Sequence, residues 1–300
     1  MHELDASPVS APPRAAIRKL VSAALREDIG GGDLTAALIE TQSRAAARLL
    51  CRDNRRVVLC GCAWFEEAFR RVDDAVEMRW LHGDGARLAA GDEVCRIDGR
   101  ARAMLTAERT AINLLQTLSA TATAARRYVD AVAGTGARIT DTRKTLPAMR
   151  VAQKYAVAVG GARNHRIGLF DQVLIKENHI AAAGGVAEAL RRARGVAEES
   201  RIEIEVENLT QLREALAADA TRIMLDNFGL DELREAVAMA GGRAELEASG
   251  NVSLDNVREI AQTGVDIISV GALTKHLSAA DFSLRFDAPD QARPANTPPA

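Results

Sequence analysis

The chain has 300 residues and a formal net charge of −2, with 47% hydrophobic, 27% charged and 3% aromatic residues. This balance is typical of a globular protein with a sizeable core, and the length allows two domains. A nearly neutral chain with so few aromatic rings lacks the basic field and the stacking surface that nucleic acid requires, and nothing in it attracts an anionic membrane.

The ends of the chain, residues 1–13 and 287–300, are rich in proline, alanine and polar residues and are expected to be disordered tails. The first lacks the features of a secretion signal, and no stretch approaches the ~20 apolar residues of a membrane span. The four cysteines form no metal-binding pattern and are interpreted as reduced thiols, so a cytoplasmic location is expected.

The first part of the chain predicts a small α/β sandwich domain over 14–117. A helix is expected over 14–27, followed from about 42 to 100 by short apolar strands with one helix among them. A long helix is expected over 106–133, and residues 281–286 are expected to return to this domain.

Short β-rich segments alternate with helical ones after Gly136, which predicts βαβ units and a parallel sheet over 118–280. The expected strands are 137–141, 172–176, 201–207, 222–227, 244–250 and 266–271, and the expected helices are 147–159, 181–198, 209–218, 229–240 and 253–262. Each strand ends in a polar residue or glycine, as at the catalytic end of a (β/α) barrel. A barrel is therefore favoured over an open doubly wound sheet.

The segment RIEIEVE (201–207) alternates strictly, with apolar residues on one face and Glu203, Glu205 and Glu207 on the other. In a barrel the apolar face packs on helices and the carboxylates point inward, where cations or a metal must neutralise them. On an exposed edge strand the same acids would form a solvated face.

Residues 138–179 concentrate positive charge, with eight Lys or Arg against three acids in a chain of net −2. The cations are Arg138, Arg143, Lys144, Arg150, Lys154, Arg163, Arg166 and Lys176. Their runs are short and interleaved with glycine and apolar residues, which favours loops and strand ends over a solvated helix face. Arginine forks and lysine point charges at barrel strand ends suit a small polyanion.

Two other groups of residues fit such a ligand. Glycine-bearing turns follow the last two strands, at Ser249, Gly250, Asn251 and Gly271. Barrels often bind phosphate there through backbone N–H groups. Glu205 and Asp226 end neighbouring strands, where two carboxylates can hold Mg²⁺ together with substrate phosphates. A salt bridge to Lys144 or Lys176 is an alternative role for these acids.

The run TRKTLPAMRVAQKYAVAVGGARNHRIGLFDQVLIKENHI (142–180) resembles the signature of the quinolinate phosphoribosyltransferase family. ALREDIGGGDLT, ERTAINLLQTLSATAT, IEIEVEN, IMLDN, EASGN and ISVGALT fall in that family's order, so the resemblance covers roughly 20–286. It implies an N-terminal α/β sandwich followed by an incomplete, open α/β barrel of the type II phosphoribosyltransferase kind. It also implies transfer of phosphoribosyl from phosphoribosyl pyrophosphate to quinolinate with decarboxylation, giving nicotinate mononucleotide, pyrophosphate and CO₂ in de novo NAD biosynthesis.

The same resemblance implies roles for individual residues. Those surrounding the quinolinate carboxylates and the phosphates would be Arg143, Lys144, His165, Arg166 and Lys176. Those binding the 5′-phosphate would be Ser249, Gly250, Asn251 and Gly271. Glu205 and Asp226 would hold Mg²⁺ and face the ribose, and with Lys144 and Lys176 they are the expected catalytic residues. Arg109 would reach into the site of a partner subunit in a homodimer or larger oligomer.

Two positions depart from the family pattern, since Ala162 and Asn251 stand where the family usually has glycine. Asparagine tolerates left-handed backbone better than most residues, so Asn251 is expected to replace a turn glycine.

Three alternative functions are weighed against this one. They are a molybdenum-transport accessory protein of the same fold, a barrel aldolase that uses Lys176 as a Schiff-base nucleophile, and a non-catalytic anion-binding barrel. The full set of cations favours the quinolinate enzyme.

Overall fold

The computed structural model describes residues 11–287, so most of both expected tails lies outside the described residues. The chain divides into two compact units, one formed by the residues up to Thr123 together with those from Ser278 onward, and the other by Ala124–Leu277. The division falls within a long helix, shortly beyond the boundary expected at 117. Between residues 11 and 287, no helix combines the length and apolar character that a membrane crossing requires.

The helices are α1 (Arg14–Ile29), α2 (Cys62–Val72), α3 (Ala101–Ala131), α4 (Arg150–Val159), α5 (Glu177–Ala183), α6 (Val186–Arg194), α7 (Leu209–Ala217), α8 (Leu230–Ala240), α9 (Val257–Ala261) and α10 (Ala272–Lys275). The strands are β1 (Arg44–Cys51), β2 (Val57–Val58), β3 (Glu77–Trp80), β4 (Arg87–Leu88), β5 (Glu93–Arg100), β6 (Arg138–Thr140), β7 (Val173–Ile175), β8 (Ile202–Val206), β9 (Arg222–Asp226), β10 (Glu245–Ser249), β11 (Ile267–Ser269) and β12 (Phe282–Phe286). Short 3-10 turns lie at Ala36–Leu38 and Glu199–Arg201.

The first unit is built on an antiparallel sheet with the strand order β12-β1-β5-β3. The last strand of the chain, β12, pairs with one side of β1, and β5 pairs with the other. Helix α2 buries Trp64, Phe65 and Phe69 along one face, as expected for an amphipathic helix over a core. Phe65 also packs edge-on against Trp80 of β3.

The second unit contains a parallel sheet with the strand order β6-β11-β10-β9-β8-β7, and helices connect successive strands. Alternate residues of the strands, such as Ile204, Ile223 and Ile268, join the apolar core that the helices cover. The sheet's two outer strands are β6 and β7, so the barrel is open. The predicted fold class, an N-terminal sheet domain followed by an open barrel, is confirmed.

Strand β8 shows the predicted alternation within the sheet interior. It lies between β7 and β9, and Glu203 and Glu205 on its inward face are buried. The edge-strand alternative is therefore wrong. Glu207 lies beyond the end of the strand and is exposed.

The helix expected over 181–198 is wrong as a single element, because the chain forms α5 and α6 there. Gly184 and Gly185 separate the two, with φ of 95° and 138°. Such left-handed backbone ends a helix and favours glycine. The helix expected from 147 begins at Arg150, after Ala148 with φ of 62°.

A short extended segment lies alongside the outer side of β6. Arg163 bridges Thr140 in parallel, its N–H donates to the Ile139 carbonyl at 2.8 Å, and its carbonyl accepts from the Asp141 N–H at 3.1 Å. The chain just after Ala162 is thus registered against the open edge of the barrel.

Candidate active site

The C-terminal ends of the barrel strands carry most of the predicted site residues. They are Arg143 and Lys144 after β6, Lys176 after β7, Glu205 on β8, Asp226 on β9, Ser249, Gly250 and Asn251 at the end of β10, and Gly271 after β11. His165 and Arg166 join them from the segment beside β6. Because parallel strands end at one edge of a sheet, these groups share one face of the barrel.

Two guanidinium groups, those of Arg143 and Arg166, are neighbours at this face. Burial lowers the pKa of Arg166, and the positive charge of Arg143 lowers it further. Arg166 donates to the Gln172 carbonyl at 3.2 Å, whereas the buried Nε of Arg143 has no hydrogen-bond partner within residues 11–287. In that part of the chain, neither guanidinium forms an ion pair with a carboxylate. Two neighbouring guanidinium groups of this kind suit an anion with two carboxylates.

The loop that carries Arg143 and Lys144 is shaped by Arg150. The Arg150 guanidinium donates to the Arg143 carbonyl, the Ile167 carbonyl and the Thr145 hydroxyl, each at 3.1 Å. Its donors are used within the loop, so Arg150 is part of the scaffold.

The acids of the site lie beside Lys176, whose Nζ is 2.5 Å from a Glu205 oxygen. Burial raises the pKa of the Glu205 carboxyl, Lys176 opposes this, and the nearby Asp226 raises it again. Asp226 accepts a hydrogen bond from the Asn227 amide at 2.7 Å. Two neighbouring carboxylates at a partly open strand edge fit Mg²⁺, which takes one or two protein carboxylates with substrate phosphates.

The turn after β10 brings Gly250 and Asn251 close to Asn227. Gly250 has φ of 99°, and a Cβ there would overlap the side-chain oxygen of Asn227. Asn251 has φ of 51°, and its amide donates to the same Asn227 oxygen at 3.3 Å. Asn251 therefore adopts the left-handed backbone expected of the glycine that it replaces, and its side chain adds a contact.

Lys275 lies beside Gly271, the glycine after β11, and was not predicted from the sequence. A Cβ at Gly271 would lie 3.1 Å from Cδ of Lys144 and 3.8 Å from Cε of Lys275, so both lysines flank Gly271. The spacing was available as a signal, since a residue four positions past a strand-end glycine lies one helical turn above it.

Inside the barrel, Arg222 forms a buried network with Glu203, Glu247 and His165. Arg222 Nη2 is 2.7 Å from Glu247, Arg222 Nε is 3.2 Å from Glu203, and His165 Nε2 is 2.9 Å from Glu203. Ligand atoms of His165 and the two glutamates lie within 4.8 Å of one another, as a metal site would require. Arg222 already places its one positive charge between the two carboxylates, so we interpret the cluster as an ion-paired network.

Arg222 and Glu247 were missed in the sequence, although strand pairing links Arg222 to the predicted inward acids. Ile204 pairs with Ile223, so the residues before them, Glu203 and Arg222, are neighbours on the inward face. Burial and Glu203 raise the pKa of the Glu247 carboxyl to about 7, while His165 and Arg222 oppose the shift.

His165 is buried next to the acids of the barrel interior. Its Nδ1 accepts from the Arg166 N–H at 2.7 Å, and its Nε2 lies 2.9 Å from a Glu203 oxygen. The expected contact of His165 with a ligand stays a prediction.

The cation-rich stretch does not face a ligand along its whole length. Lys154 is buried and lies 2.6 Å from Asp141, and Arg138 is paired with Glu245. Among the cations of this stretch, Arg143, Lys144 and Arg166 lie at the strand ends and form no ion pair with a carboxylate of residues 11–287, whereas Lys176 is paired with Glu205.

Arg109 lies on α3 in the first unit, where it is exposed. Its predicted place in a partner's site stays a prediction. The four cysteines are free thiols, and burial raises the pKa of Cys95 to about 12 and the pKa of the other three as well. None of them is a reactive thiolate near neutral pH.

Both parts of the chain are similar to known proteins. Residues 33–119 match a family model described as the quinolinate phosphoribosyl transferase N-terminal domain, and residues 121–285 match the C-terminal domain. The chain is 49% identical over 204 residues to nicotinate-nucleotide pyrophosphorylase [carboxylating] of Mycobacterium leprae, covering 67% of this chain and 72% of that protein. It is 38% identical over 298 residues to quinolinate phosphoribosyltransferase [decarboxylating] 1b of Nicotiana tabacum, covering 92% and 84%.

The fold is also similar to a solved structure, the nicotinate-nucleotide pyrophosphorylase from Francisella tularensis. The TM-score is 0.90 at 42% sequence identity, and the match covers 94% of this chain and 99% of that chain.

Proposed function

The chain belongs to the quinolinate phosphoribosyltransferase family, and we propose that its barrel strand ends transfer a phosphoribosyl group to quinolinate with loss of CO₂. The donor is phosphoribosyl pyrophosphate, and the products are nicotinate mononucleotide, pyrophosphate and CO₂. This reaction is a step of de novo NAD biosynthesis.

The observation that carries the proposal is the pair of guanidinium groups, Arg143 and Arg166, that no carboxylate neutralises within residues 11–287. Quinolinate has carboxylates on adjacent ring carbons, and each guanidinium presents a planar fork that matches one carboxylate. Lys144 and Lys275 flank the glycine after β11 and supply point charges suited to phosphate oxygens.

Ribosyl transfer develops opposite charges at two places. When the bond between ribose C1 and pyrophosphate breaks, the sugar becomes positive and the leaving group more negative. Glu205 and Asp226 are suited to stabilise the sugar, and the lysines of the site the leaving group. Loss of one such preorganised partner costs about 2.7–4 kcal/mol of barrier, or 10²–10³ in rate.

We also propose that Glu205 and Asp226 hold Mg²⁺ when the substrates bind, because their oxygens fit this ion. Bound there, Mg²⁺ would neutralise charge on the pyrophosphate. Lys176, which lies 2.5 Å from Glu205, would keep that carboxylate ionised and oriented.

Decarboxylation follows from the ring itself. Once the ring nitrogen carries ribose it is cationic. It therefore stabilises the electron pair that stays on C2 when the bond between C2 and its carboxylate breaks. The carbon then takes up a proton from water, so the step requires no dedicated acid or base of the protein. In this step the protein only needs to hold the carboxylate that remains on the ring.

The Schiff-base alternative conflicts with the surroundings of Lys176. An aldolase lysine needs its amine free to attack a carbonyl, whereas Lys176 Nζ is held in an ion pair 2.5 Å from a Glu205 oxygen. The names of the relatives favour the transferase over a molybdenum-transport accessory protein.

Product analysis tests the proposal. Purified protein with Mg²⁺, quinolinate and phosphoribosyl pyrophosphate is expected to give nicotinate mononucleotide and CO₂ in equal amounts, measured by mass spectrometry and ¹³C-labelled carboxylate release. Turnover of nicotinate in place of quinolinate, without CO₂, would contradict the substrate assignment.

A homodimer or larger oligomer, in which Arg109 completes the site of a partner subunit, is part of this proposal. Its support is the exposure of Arg109 on α3 and the family resemblance of the surrounding motif. We also propose a cytoplasmic location, which the four free thiols support because disulfides are rare in reducing compartments.

A further inference from the structure

The segment that carries His165 and Arg166 is held by a buried ion pair between Asp141 and Lys154. Asp141, at the end of β6, accepts from Lys154 Nζ at 2.6 Å, from the His165 N–H at 2.8 Å and from the Asn164 amide at 2.9 Å. Lys154 Nζ also donates to the His165 carbonyl at 2.6 Å. The same ion pair therefore fixes both the amide and the carbonyl of His165.

The other side of this segment is held by the barrel interior. The His165 ring accepts from the Arg166 N–H at 2.7 Å and lies 2.9 Å from Glu203. Glu203 also accepts from the Gln172 amide at 3.0 Å, and the Gln172 carbonyl accepts from the Arg166 guanidinium at 3.2 Å. Arg166 thus extends from a backbone whose polar groups are fixed on both sides.

Asp141 and Lys154 are among the most buried charges of the chain, with exposed fractions of 0% and 3%. Burial raises the pKa of Asp141 and lowers that of Lys154, and each charge partly offsets the effect on the other. Replacing a buried ion pair with neutral groups is often neutral or stabilising, so stability alone does not account for the pair. The hydrogen bonds of the pair to the backbone amide and carbonyl of His165 do account for it.

We propose, building on the function proposed above, that Asp141 and Lys154 are positioning residues for the dicarboxylate substrate. The pair fixes the backbone at His165 and so aims the Arg166 fork at one carboxylate of quinolinate. The charge of Lys154 is used within the protein and is not offered to the ligand. Misplacement of a binding group by about 1 Å can cost 10²-fold in rate, so the support is worth a measurable effect.

Two single variants distinguish positioning from direct charge. If Lys154 acted on the ligand through its charge, Lys154→Met would weaken quinolinate binding, while Asp141→Asn would unmask the ammonium and tighten it. A positioning pair predicts the same direction for both: Kd and KM for quinolinate rise about 10–100-fold, while KM for phosphoribosyl pyrophosphate changes less than about threefold. Calorimetric titration with quinolinate and steady-state kinetics give these values.

Variants that keep the fold intact make the test decisive. The double variant Asp141→Asn/Lys154→Met removes both buried charges, so it is expected to remain folded and to lose quinolinate affinity like the single variants. Asn164→Ala removes one support and is expected to give a smaller loss in the same direction. Asp73→Asn breaks an ion pair of the first unit, in which the buried Asp73 lies 2.6 Å from the exposed Arg100, and is expected to change stability without separating the two KM values.

The outcomes separate this inference from the proposed function. Tighter quinolinate binding by Asp141→Asn, or unchanged binding by the double variant, would overturn the positioning role. A wild-type protein that makes no nicotinate mononucleotide would instead contradict the function itself.

Discussion

A guanidinium and an ammonium carry the same charge, but only the guanidinium presents two parallel donors to one carboxylate. Arg166 is the clearest place in this chain where the difference matters. It is partly buried beside Arg143, it donates to the Gln172 carbonyl, and within residues 11–287 it forms no ion pair with a carboxylate. The residue type is therefore part of substrate recognition.

Arg166→Lys is expected to raise KM for quinolinate about 10–100-fold, because one charge-assisted hydrogen bond is worth about 1.5–3 kcal/mol. Steady-state kinetics with each substrate varied in turn measure the effect. Arg234→Lys, at an exposed ion pair on α8, is the matched control and is expected to change nothing. An unchanged KM would show that Arg166 does not hold a carboxylate of the ground-state substrate.

Glu247 gives a prediction for the pH dependence of stability. Its carboxyl has a pKa of about 7 in the folded chain, raised from the ordinary value of 4.5 mainly by burial. A carboxyl with a raised pKa stabilises the fold at low pH, and this contribution is lost as pH rises through the folded pKa.

Glu247→Gln is therefore expected to remove a decline in the free energy of unfolding that wild type shows between about pH 4.5 and 7, worth up to ~3 kcal/mol. Urea denaturation of both proteins at several pH values across this window measures it. Parallel pH profiles for the two proteins would mean that Glu247 is not the group responsible.

At the scale of elements, the turn after β10 depends on a residue without a side chain. Gly250 combines φ of 99° with a position where a Cβ would overlap Asn227. Gly242, in the turn before β10, has φ of 77° but open space around it. An alanine at either position would be strained by the left-handed backbone, but only at Gly250 would its Cβ also overlap a neighbouring side chain.

Gly250→Ala is expected to raise KM for phosphoribosyl pyrophosphate at least about 10-fold, because one displaced phosphate contact costs about 1.5–3 kcal/mol. Gly242→Ala is expected to lower the free energy of unfolding by ~1 kcal/mol without changing KM for phosphoribosyl pyrophosphate. Kinetics and urea denaturation of both variants separate the effects. Equal KM values in the two variants would argue against a phosphate cradle at this turn.

The sequence allowed the barrel to be predicted because strand ends and alternation are local signals. RIEIEVE shows in seven letters which residues of β8 face inward. The ion pair between Lys154 and Asp141 has no such signal, since it joins a helix to a strand end and depends on packing. For that reason Lys154 was counted with the cations that face a ligand.

The break between α5 and α6 was missed for a different reason. The residues on both sides of Gly184 and Gly185 keep a helical pattern, and two glycines do not by themselves determine where a chain turns. The tertiary position of α5 after β7 decides it.

At the scale of the whole molecule, the site proposed here draws on one unit, except for Arg109. Arg109→Ala is expected to abolish activity while leaving the fold intact, and Lys144→Ala is expected to be inactive as well. If Arg109 acts across a subunit interface, mixing the two variants restores partial activity, because some sites then contain both wild-type residues. Activity assays before and after mixing, with subunit exchange checked by mass spectrometry, measure this. No recovery after complete exchange would contradict the shared site.

The position of β12 has a consequence for how the protein is made. β1 pairs with β5 on one side and with β12 on the other, yet the ribosome synthesises the entire barrel between β5 and β12. A nascent chain therefore can complete its second unit before its first. Until β12 emerges, one side of β1 carries unpaired N–H and C=O groups that can pair with another chain. Translation that stops between Leu277 and Phe282 would release a protein with its barrel present and that edge uncovered.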